Sequence, residues 1–179
     1  MTRLKEKYQK LIVPALKEKF GYTNNLAVPK ITKVIINIGT GHGLKDAKHN
    51  EVVEATLRRI TGQRPVKTIS KKSISNFKIR AGQVVGIMVT LRGARMYDFL
   101  DKMVSVTLPR VRDFRGLDSK NVDKNGNLNL GFKEHIAFPE IKMDEIEKIH
   151  GLQVTIVTTA KKREEGLVLF EMLGFPFQK

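Results

Sequence analysis

The sequence predicts a single domain that mixes helices and strands without the regular alternation of a doubly wound sheet. Three observations support this prediction. The chain has 179 residues, which suits one domain better than two. Apolar residues make up 41% of it, enough for a packed core. Apolar spacing switches between the helical period and the strand period, and neither a repeat nor a linker interrupts it.

The first half opens with a predicted helix over residues 4–20, where apolar side chains recur at helical spacing. Thr2 can cap this helix and Gly21 ends it, while Pro14 should kink it or divide it in two. Further elements are predicted in this order: a strand at 30–39, a helix at 46–61 capped by Asp46, and strands at 65–70 and 83–92.

The second half begins with a predicted helix over residues 95–110, disturbed by Pro109. The Asn125-Gly126 pair is a strong turn signal. A short helix at 144–150, a strand at 152–159 and a helix at 162–173 follow. Residues 71–82 and 113–142 are predicted to be long loops, and such loops tend to carry function.

Several functional classes are excluded by composition. The chain has no cysteine, which removes disulfides, thiolate metal sites and cysteine nucleophiles. The histidines stand far apart, and His42 and His49 are expected to be solvated rather than metal ligands. No apolar stretch reaches the length of a membrane span, and the charged first residues do not fit a signal peptide. We therefore expect an intracellular protein with no metal, no cofactor and no membrane partner.

Positive charge is concentrated in one part of the chain. Lys and Arg number 33 against 18 Asp and Glu, a net charge of +15. Residues 55–97 hold 10 of these cations and no acid, whereas residues 98–179 hold 13 of each sign. We therefore predict a polyanion-binding half at 1–97 and a neutral half at 98–179 that meets a protein partner.

Two other functions are considered for the basic half, a nucleotide-dependent enzyme and a general DNA binder. Residues 39–43 contain three glycines between a strand and a helix, as a nucleotide-binding enzyme would, but neither the Rossmann nor the Walker spacing is met. A general DNA binder is supported by charge alone. Nucleotide dialysis tests the first alternative, and competition between folded RNA and duplex DNA tests the second.

The strands carry polar residues that suit folded RNA. If the apolar residues of strands 30–39 and 83–92 face the core, then Lys33 and Asn37 point the other way, as do Thr90 and Arg92. Amide and hydroxyl groups bond 2′-hydroxyls and phosphates, and guanidinium groups bind phosphates in a forked geometry. In the basic loop 71–82, Phe77 could stack on a base, but we expect it to be a buried anchor.

The seventeen residues 57–73 resemble the signature of the bacterial large-subunit ribosomal protein five family, which binds 5S ribosomal RNA. The resemblance extends to residues 4–8, 34–39, 89–93 and 166–177, so it spans essentially the whole chain. It implies an α+β fold with a mostly antiparallel or mixed sheet, helices packed on one face and long functional loops. It also implies a cytoplasmic location on the large ribosomal subunit, and no enzymatic activity.

The resemblance further implies partners: 5S rRNA, 23S rRNA, P-site tRNA, other proteins of the central protuberance, and a small-subunit head protein that forms an intersubunit bridge. The residues expected to contact 5S rRNA are Asn37, Gln63, Thr90, Arg92, Lys33, Tyr8 and Lys10. The loop expected near tRNA contributes Ser73, Ser75, Asn76, Lys78, Arg80 and Gln83. The bridge is expected at Asp113, Arg115, Lys133, Glu134 and Lys142.

Overall fold

The computed structural model describes residues 3–41, 47–141 and 149–178. Its strands form one antiparallel sheet in the order β2-β3-β1-β5-β4. They are β1 (Ile31–Gly39), β2 (Val66–Ile69), β3 (Val84–Leu91), β4 (Leu128–Phe132) and β5 (Leu152–Thr158). The α-helices in the described residues are α1 (Arg3–Lys7), α2 (Val13–Phe20), α3 (Ala47–Thr61), α4 (Gly93–Lys102) and α5 (Arg163–Leu173). This confirms the predicted α+β class.

The chain forms two compact units. The first consists of Met1–Val34, Leu91–Leu130 and Thr155–Lys179, and the second of Ile35–Thr90 and Gly131–Val154. These units do not follow the division by charge at residue 97, which stays a prediction about function. No helix within the described residues is long and apolar enough to cross a membrane.

The helices of the first unit supply a large part of its core. Leu4, Leu16, Leu100 and Phe170 are all buried, and they come from α1, α2, α4 and α5 in turn. The Arg3 guanidinium lies 3.3 Å from the Asp101 carboxylate on the surface, so an exposed ion pair joins α1 to α4. Such a pair adds little to stability, and apolar burial holds these helices together.

A π-turn at Tyr8–Ile12 joins α1 to α2 immediately before the predicted break at Pro14. The Val13 N–H donates to the Tyr8 carbonyl, five residues back. Proline cannot donate a hydrogen bond, and its ring would clash with the carbonyl four residues earlier in a regular helix, here that of Lys10. The wider turn relieves this conflict, so Pro14 interrupts the regular helix without ending it. Gly21 ends α2 in the left-handed conformation, as predicted.

The same device occurs in the predicted helix 95–110. After α4 a π-turn covers Met103–Thr107, and the Leu108 N–H donates to the Met103 carbonyl. A 3-10 turn at Leu108–Arg110 then accommodates Pro109. The prediction that Pro109 disturbs this helix is confirmed.

In the second unit, α3 buries one apolar side and the strands alternate. Val53, Leu57 and Ile60 of α3 are fully buried, as predicted from their spacing. Strand β2 pairs antiparallel with β3, with Val66 opposite Met88, and a bulge shifts the register between Thr68 and Ile69. The predicted cap Asp46 lies outside the described residues.

Two predictions for the second half need comment. The predicted loop 113–142 contains β4, which we missed because this strand is only five residues long and includes Gly131. The turn before it is present, with the Asp123 N–H donating to the Asn127 carbonyl at 2.8 Å. The short helix predicted at 144–150 falls largely on residues 142–148, which lie outside the described residues.

Candidate nucleic-acid interface

The strands alternate between buried residues and residues on the opposite side, which we call outer positions. On β1 the outer positions include Lys33 and Asn37, between buried Val34, Ile36 and Ile38. On β3 they include Met88 and Thr90. Asn37 is exposed, whereas Lys33 and Thr90 are half-buried. The predicted orientation of these side chains is therefore confirmed.

Arg92 follows β3 directly and is the residue that precedes α4. Its backbone is still extended, and its side chain is exposed. Its exposed guanidinium can bond a ligand at the end of the strand. Its predicted exposure is confirmed, and its contact with RNA stays a prediction.

Gln63 is brought to Thr90 by a hydrogen bond across 27 residues of sequence. Its side-chain Nε2 donates to the Thr90 carbonyl at 3.1 Å. Strand β2 begins at Val66, which pairs with Met88 of β3. Thr90 comes two residues after Met88, so β2 has no residue paired with it. The Gln63 side chain therefore donates the hydrogen bond to Thr90 that a paired strand would otherwise supply. This bond joins two of the residues predicted to bind 5S rRNA.

Sequence reasoning missed Thr68 and Gly86. A Cβ atom added to Gly86 would lie 2.8 Å from Thr68 Oγ1 and 3.1 Å from the Ile38 carbonyl oxygen, with Asn37 Oδ1 at 3.8 Å. The polar groups of Thr68 and Asn37 thus both lie beside a glycine that leaves no room for a side chain. A glycine inside a strand is the signal for such a close approach.

The basic loop between β2 and β3 is an ordered hairpin. Ile74 and Ile79 exchange backbone hydrogen bonds of 2.9 and 3.1 Å. Ser73 Oγ accepts the Ala81 N–H, and Gln83 Oε1 accepts the Arg80 N–H. Two of the six side chains predicted to lie near tRNA therefore shape the loop from inside it.

The remaining side chains of this loop point outward. Ser75, Asn76, Lys78 and Arg80 are exposed, and Lys78 has a left-handed backbone with φ 55°. Phe77 is 67% exposed, so our expectation that it anchors the loop is wrong. The hairpin is closed by its own backbone bonds instead of by this ring. Exposed Phe77 instead favours stacking on a base.

Tyr8 and Lys10 differ in what they can offer a ligand. The Tyr8 hydroxyl donates to the Pro29 carbonyl at 3.0 Å, and burial, helped by the neighbouring Tyr97, raises the pKa of Tyr8 to about 12. The proton of this hydroxyl is therefore engaged in a hydrogen bond within the fold. Lys10 is exposed on the π-turn and keeps its charge available.

The residues predicted for the intersubunit bridge lie on the surface. Asp113, with φ 55°, and Arg115 are exposed in the first unit. Lys133 and Glu134 are exposed in the second unit. Lys142 lies outside the described residues.

Three of the four histidines, His49, His135 and His150, lie close together. His150 stacks on buried His135, with ring centroids 3.9 Å apart, and the His49 ring lies edge-on at 6.4 Å from that of His150. Burial lowers the pKa of His135. Half-buried His49 is thus less solvated than we expected, and His42 lies outside the described residues. The described residues contain no group of three or more side chains that could hold a metal ion.

Comparison with known proteins identifies the family of the chain. Residues 24–80 match the family described as Ribosomal protein L5, and residues 84–177 match the model of the C-terminus of the same ribosomal protein family. The chain belongs to the uL5 family. It is 51% identical to the large ribosomal subunit protein uL5 of Carboxydothermus hydrogenoformans over 179 residues, all of both chains.

Other uL5 proteins are equally similar. The chain is 53% identical to that of Thermoanaerobacter sp. over all of both chains, and 52% identical to that of Streptococcus pyogenes over 99% of each. Membership of the uL5 family makes the chain a constituent of the large ribosomal subunit in the cytoplasm, associated with ribosomal RNA. It also makes it a structural ribosomal protein rather than an enzyme.

Proposed function

We propose that the chain binds 5S rRNA through its strands, helps to hold that RNA in the central protuberance, contacts the P-site tRNA and forms an intersubunit bridge. One observation carries the 5S proposal. Asn37, Thr90 and Arg92 leave the apolar core and present an amide, a hydroxyl and a guanidinium, and Gln63 is bonded beside Thr90. These groups suit the 2′-hydroxyls and phosphates of folded RNA.

Charge supports the same proposal. None of the ten cations in residues 55–97 has a carboxylate neighbour within that stretch, because it contains no acid. Lys67 reaches outside it, to Glu54 at 3.1 Å. Exposed cations of this stretch, such as Lys78, Arg80 and Arg92, can neutralise phosphates. The 5S rRNA affinity should therefore fall steeply with salt, with a log–log slope of roughly −0.7 to −0.9 per phosphate neutralised.

A filter-binding titration with 5S rRNA tests the proposal. We expect Arg92→Ala to weaken binding by about 1–3 kcal/mol, since it removes a charge-assisted hydrogen bond. Arg110→Ala is the matched control, because Arg110 is an exposed arginine in the neutral half of the chain. If Arg92→Ala binds as tightly as the control, Arg92 is not part of the 5S interface.

The tRNA contact is proposed for loop 73–82. Its cations Lys78 and Arg80 are exposed on a hairpin that backbone hydrogen bonds hold in shape. Replacing both by alanine should leave 5S rRNA binding unchanged and weaken the retention of P-site tRNA on assembled ribosomes, because two phosphate-neutralising charges are lost.

The matched control for this loop is the alanine double variant of Lys161 and Lys162, two exposed lysines in the other compact unit. Retention of tRNA should be normal in that control. A collapse of 5S rRNA binding in the Lys78 and Arg80 variant would contradict the separation of the two RNA contacts.

The bridge to a small-subunit head protein is proposed for Asp113, Arg115, Lys133, Glu134 and Lys142. The four of these residues that are described are exposed and carry both signs of charge. Asp113 with Arg115 in the first unit, and Lys133 with Glu134 in the second, each give a pair of opposite charges. Such a pair is suited to a protein partner, where complementary charges set orientation. The same residues would bind an RNA backbone poorly, because two of them repel it.

A further inference from the structure

The strands of the neutral half share a property with those of the basic half. Residues 98–179 contain 13 acids, yet neither β4 nor β5 has one. The sequences of β1, β2 and β3 also lack Asp and Glu. Carboxylates are therefore absent from all five strands, and the difference in charge between the halves arises mainly in helices and loops.

Asn129 and Thr155 occupy outer positions on β4 and β5 within the first compact unit. Both are half-buried, and their neighbours along each strand are fully buried. The Thr155 hydroxyl donates to Asn129 Oδ1 at 2.8 Å. This bond fixes the amide so that its oxygen is occupied and its Nδ2 group has two N–H donors to offer.

We propose that Asn129 and Thr155 form a further RNA contact, in which the Asn129 amide donates to a phosphate or 2′-hydroxyl oxygen and the Thr155 oxygen accepts from a 2′-hydroxyl. The proposal rests on the proposed binding of 5S rRNA by the strands. It moves the RNA contact into the half of the chain for which the charge pattern predicted only protein neighbours.

The chemistry of β4 and β5 favours RNA over a protein at this place. None of the exposed large apolar side chains of the described residues lies on either strand. A protein interface usually centres on apolar and aromatic anchors, whereas shape recognition of RNA uses uncharged polar groups beside the backbone. Without a carboxylate on either strand, nothing in these elements repels a phosphate.

The decisive variant is Asn129→Asp. It is almost isosteric, and its carboxylate can still accept the Thr155 hydroxyl, so the strand pair keeps its hydrogen bond. It replaces two N–H donors by a negative charge that faces the proposed phosphate. We expect 5S rRNA affinity to fall roughly tenfold in a filter-binding titration at moderate salt.

The control is Asn125→Asp, which makes the same change in net charge at an exposed position of the turn before β4. It should alter affinity less than about twofold, as expected for an exposed charge outside the contact. Thr155→Val is a second variant, which keeps the β-branched shape and removes the hydroxyl that orients Asn129. We expect it to weaken binding about threefold, and melting curves confirm that each variant is folded.

The outcomes separate this inference from the proposed function. If Arg92→Ala weakens 5S rRNA binding while Asn129→Asp and Thr155→Val do not, the further contact is wrong and the first one stands. If none of the three weakens binding, RNA binding by the strands is wrong as a whole. Unchanged RNA affinity of Asn129→Asp, together with its loss from assembled large subunits, would overturn the inference in favour of a protein neighbour.

Discussion

The loop between β2 and β3 and the turn before β4 are both rich in small polar residues, but they direct those residues differently. In loop 71–82 the main closing bonds join backbone groups, as between Ile74 and Ile79. In turn 123–127 the Asp123 carboxylate accepts the backbone N–H groups of Asn125 and Asn127. Gly126 completes this turn by accepting the Thr158 hydroxyl at 2.9 Å.

This difference distinguishes two ways of closing a loop. A loop closed by its backbone leaves most of its side chains for a partner, and most of those in loop 71–82 are exposed. In a turn closed by its side chains, those side chains are already hydrogen-bonded within the fold. Residue types alone do not distinguish the two cases, because serine, asparagine and aspartate serve in both.

Among the variants of residues in or against these two segments, Gly166→Ala should have the largest effect, and it tests how tightly the turn before β4 is packed. A Cβ atom at Gly166 would lie 2.5 Å from the Gly126 Cα and 2.6 Å from its carbonyl oxygen. Overpacking of about 3 kcal/mol, offset by about 1 kcal/mol of better helix propensity, should lower the free energy of unfolding in urea by about 2 kcal/mol.

Gly131→Ala is the control for this packing. No atom lies within 4 Å of a Cβ at that outer position of β4, so stability should change by less than about 0.5 kcal/mol. Equal losses of stability in the two variants would show that the effect of Gly166→Ala does not come from its contact with Gly126.

Asp123→Asn should have an intermediate effect. Burial raises the pKa of the Asp123 carboxyl, but hydrogen bonds from Asn127 and Asn125 outweigh this and hold the pKa below its ordinary 3.8. Asparagine would place an NH₂ group against the Asn127 side-chain amide that now donates to Asp123 Oδ2. We expect a loss of about 1 kcal/mol at pH 7, measured by urea unfolding.

The pH dependence of stability in the same variant tests whether the charge of the Asp123 carboxylate matters. Because the folded-state pKa is lowered, the carboxylate stabilises the wild-type chain above its unfolded-state pKa, and this contribution disappears as the pH falls through the folded-state value. The difference in stability between wild type and Asp123→Asn should therefore shrink below about pH 4. A difference that stays constant down to pH 2 would contradict the role of the charged carboxylate.

The smallest effect on stability should come from Phe77→Ala in loop 71–82. Because the ring is 67% exposed, its loss should change the free energy of unfolding by less than about 0.5 kcal/mol. Phe170→Ala, the same substitution at a fully buried ring, should cost about 4 kcal/mol. A large loss at Phe77 would restore the anchor role that the structure contradicts.

Local patterns predicted most of the elements. The alternation in β1 and the apolar spacing of α3 need only neighbouring residues, and both predictions are confirmed. The outward orientation of Asn37 and Thr90 followed from the same alternation. Strand β4 escaped because five residues with a glycine give too short a pattern to distinguish from a loop.

Contacts between distant residues were beyond the reach of the sequence. The bond from Gln63 to Thr90 depends on where β2 starts relative to β3, which no local pattern specifies. Thr68 and Asn129 were missed for the same reason, since each depends on the register of a neighbouring strand. The exposure of Phe77 was missed because an aromatic side chain is more often buried than not.

The two π-turns have a consequence for chain length. A turn closed by a bond to the fifth residue back contains one residue more than a regular helical turn, and both of these turns precede a proline. Each proline is therefore preceded by one extra residue, which the wider turn accommodates while the chain stays helical. A relative with another residue in place of Pro14 could be one residue shorter upstream and still superimpose on both flanking helices.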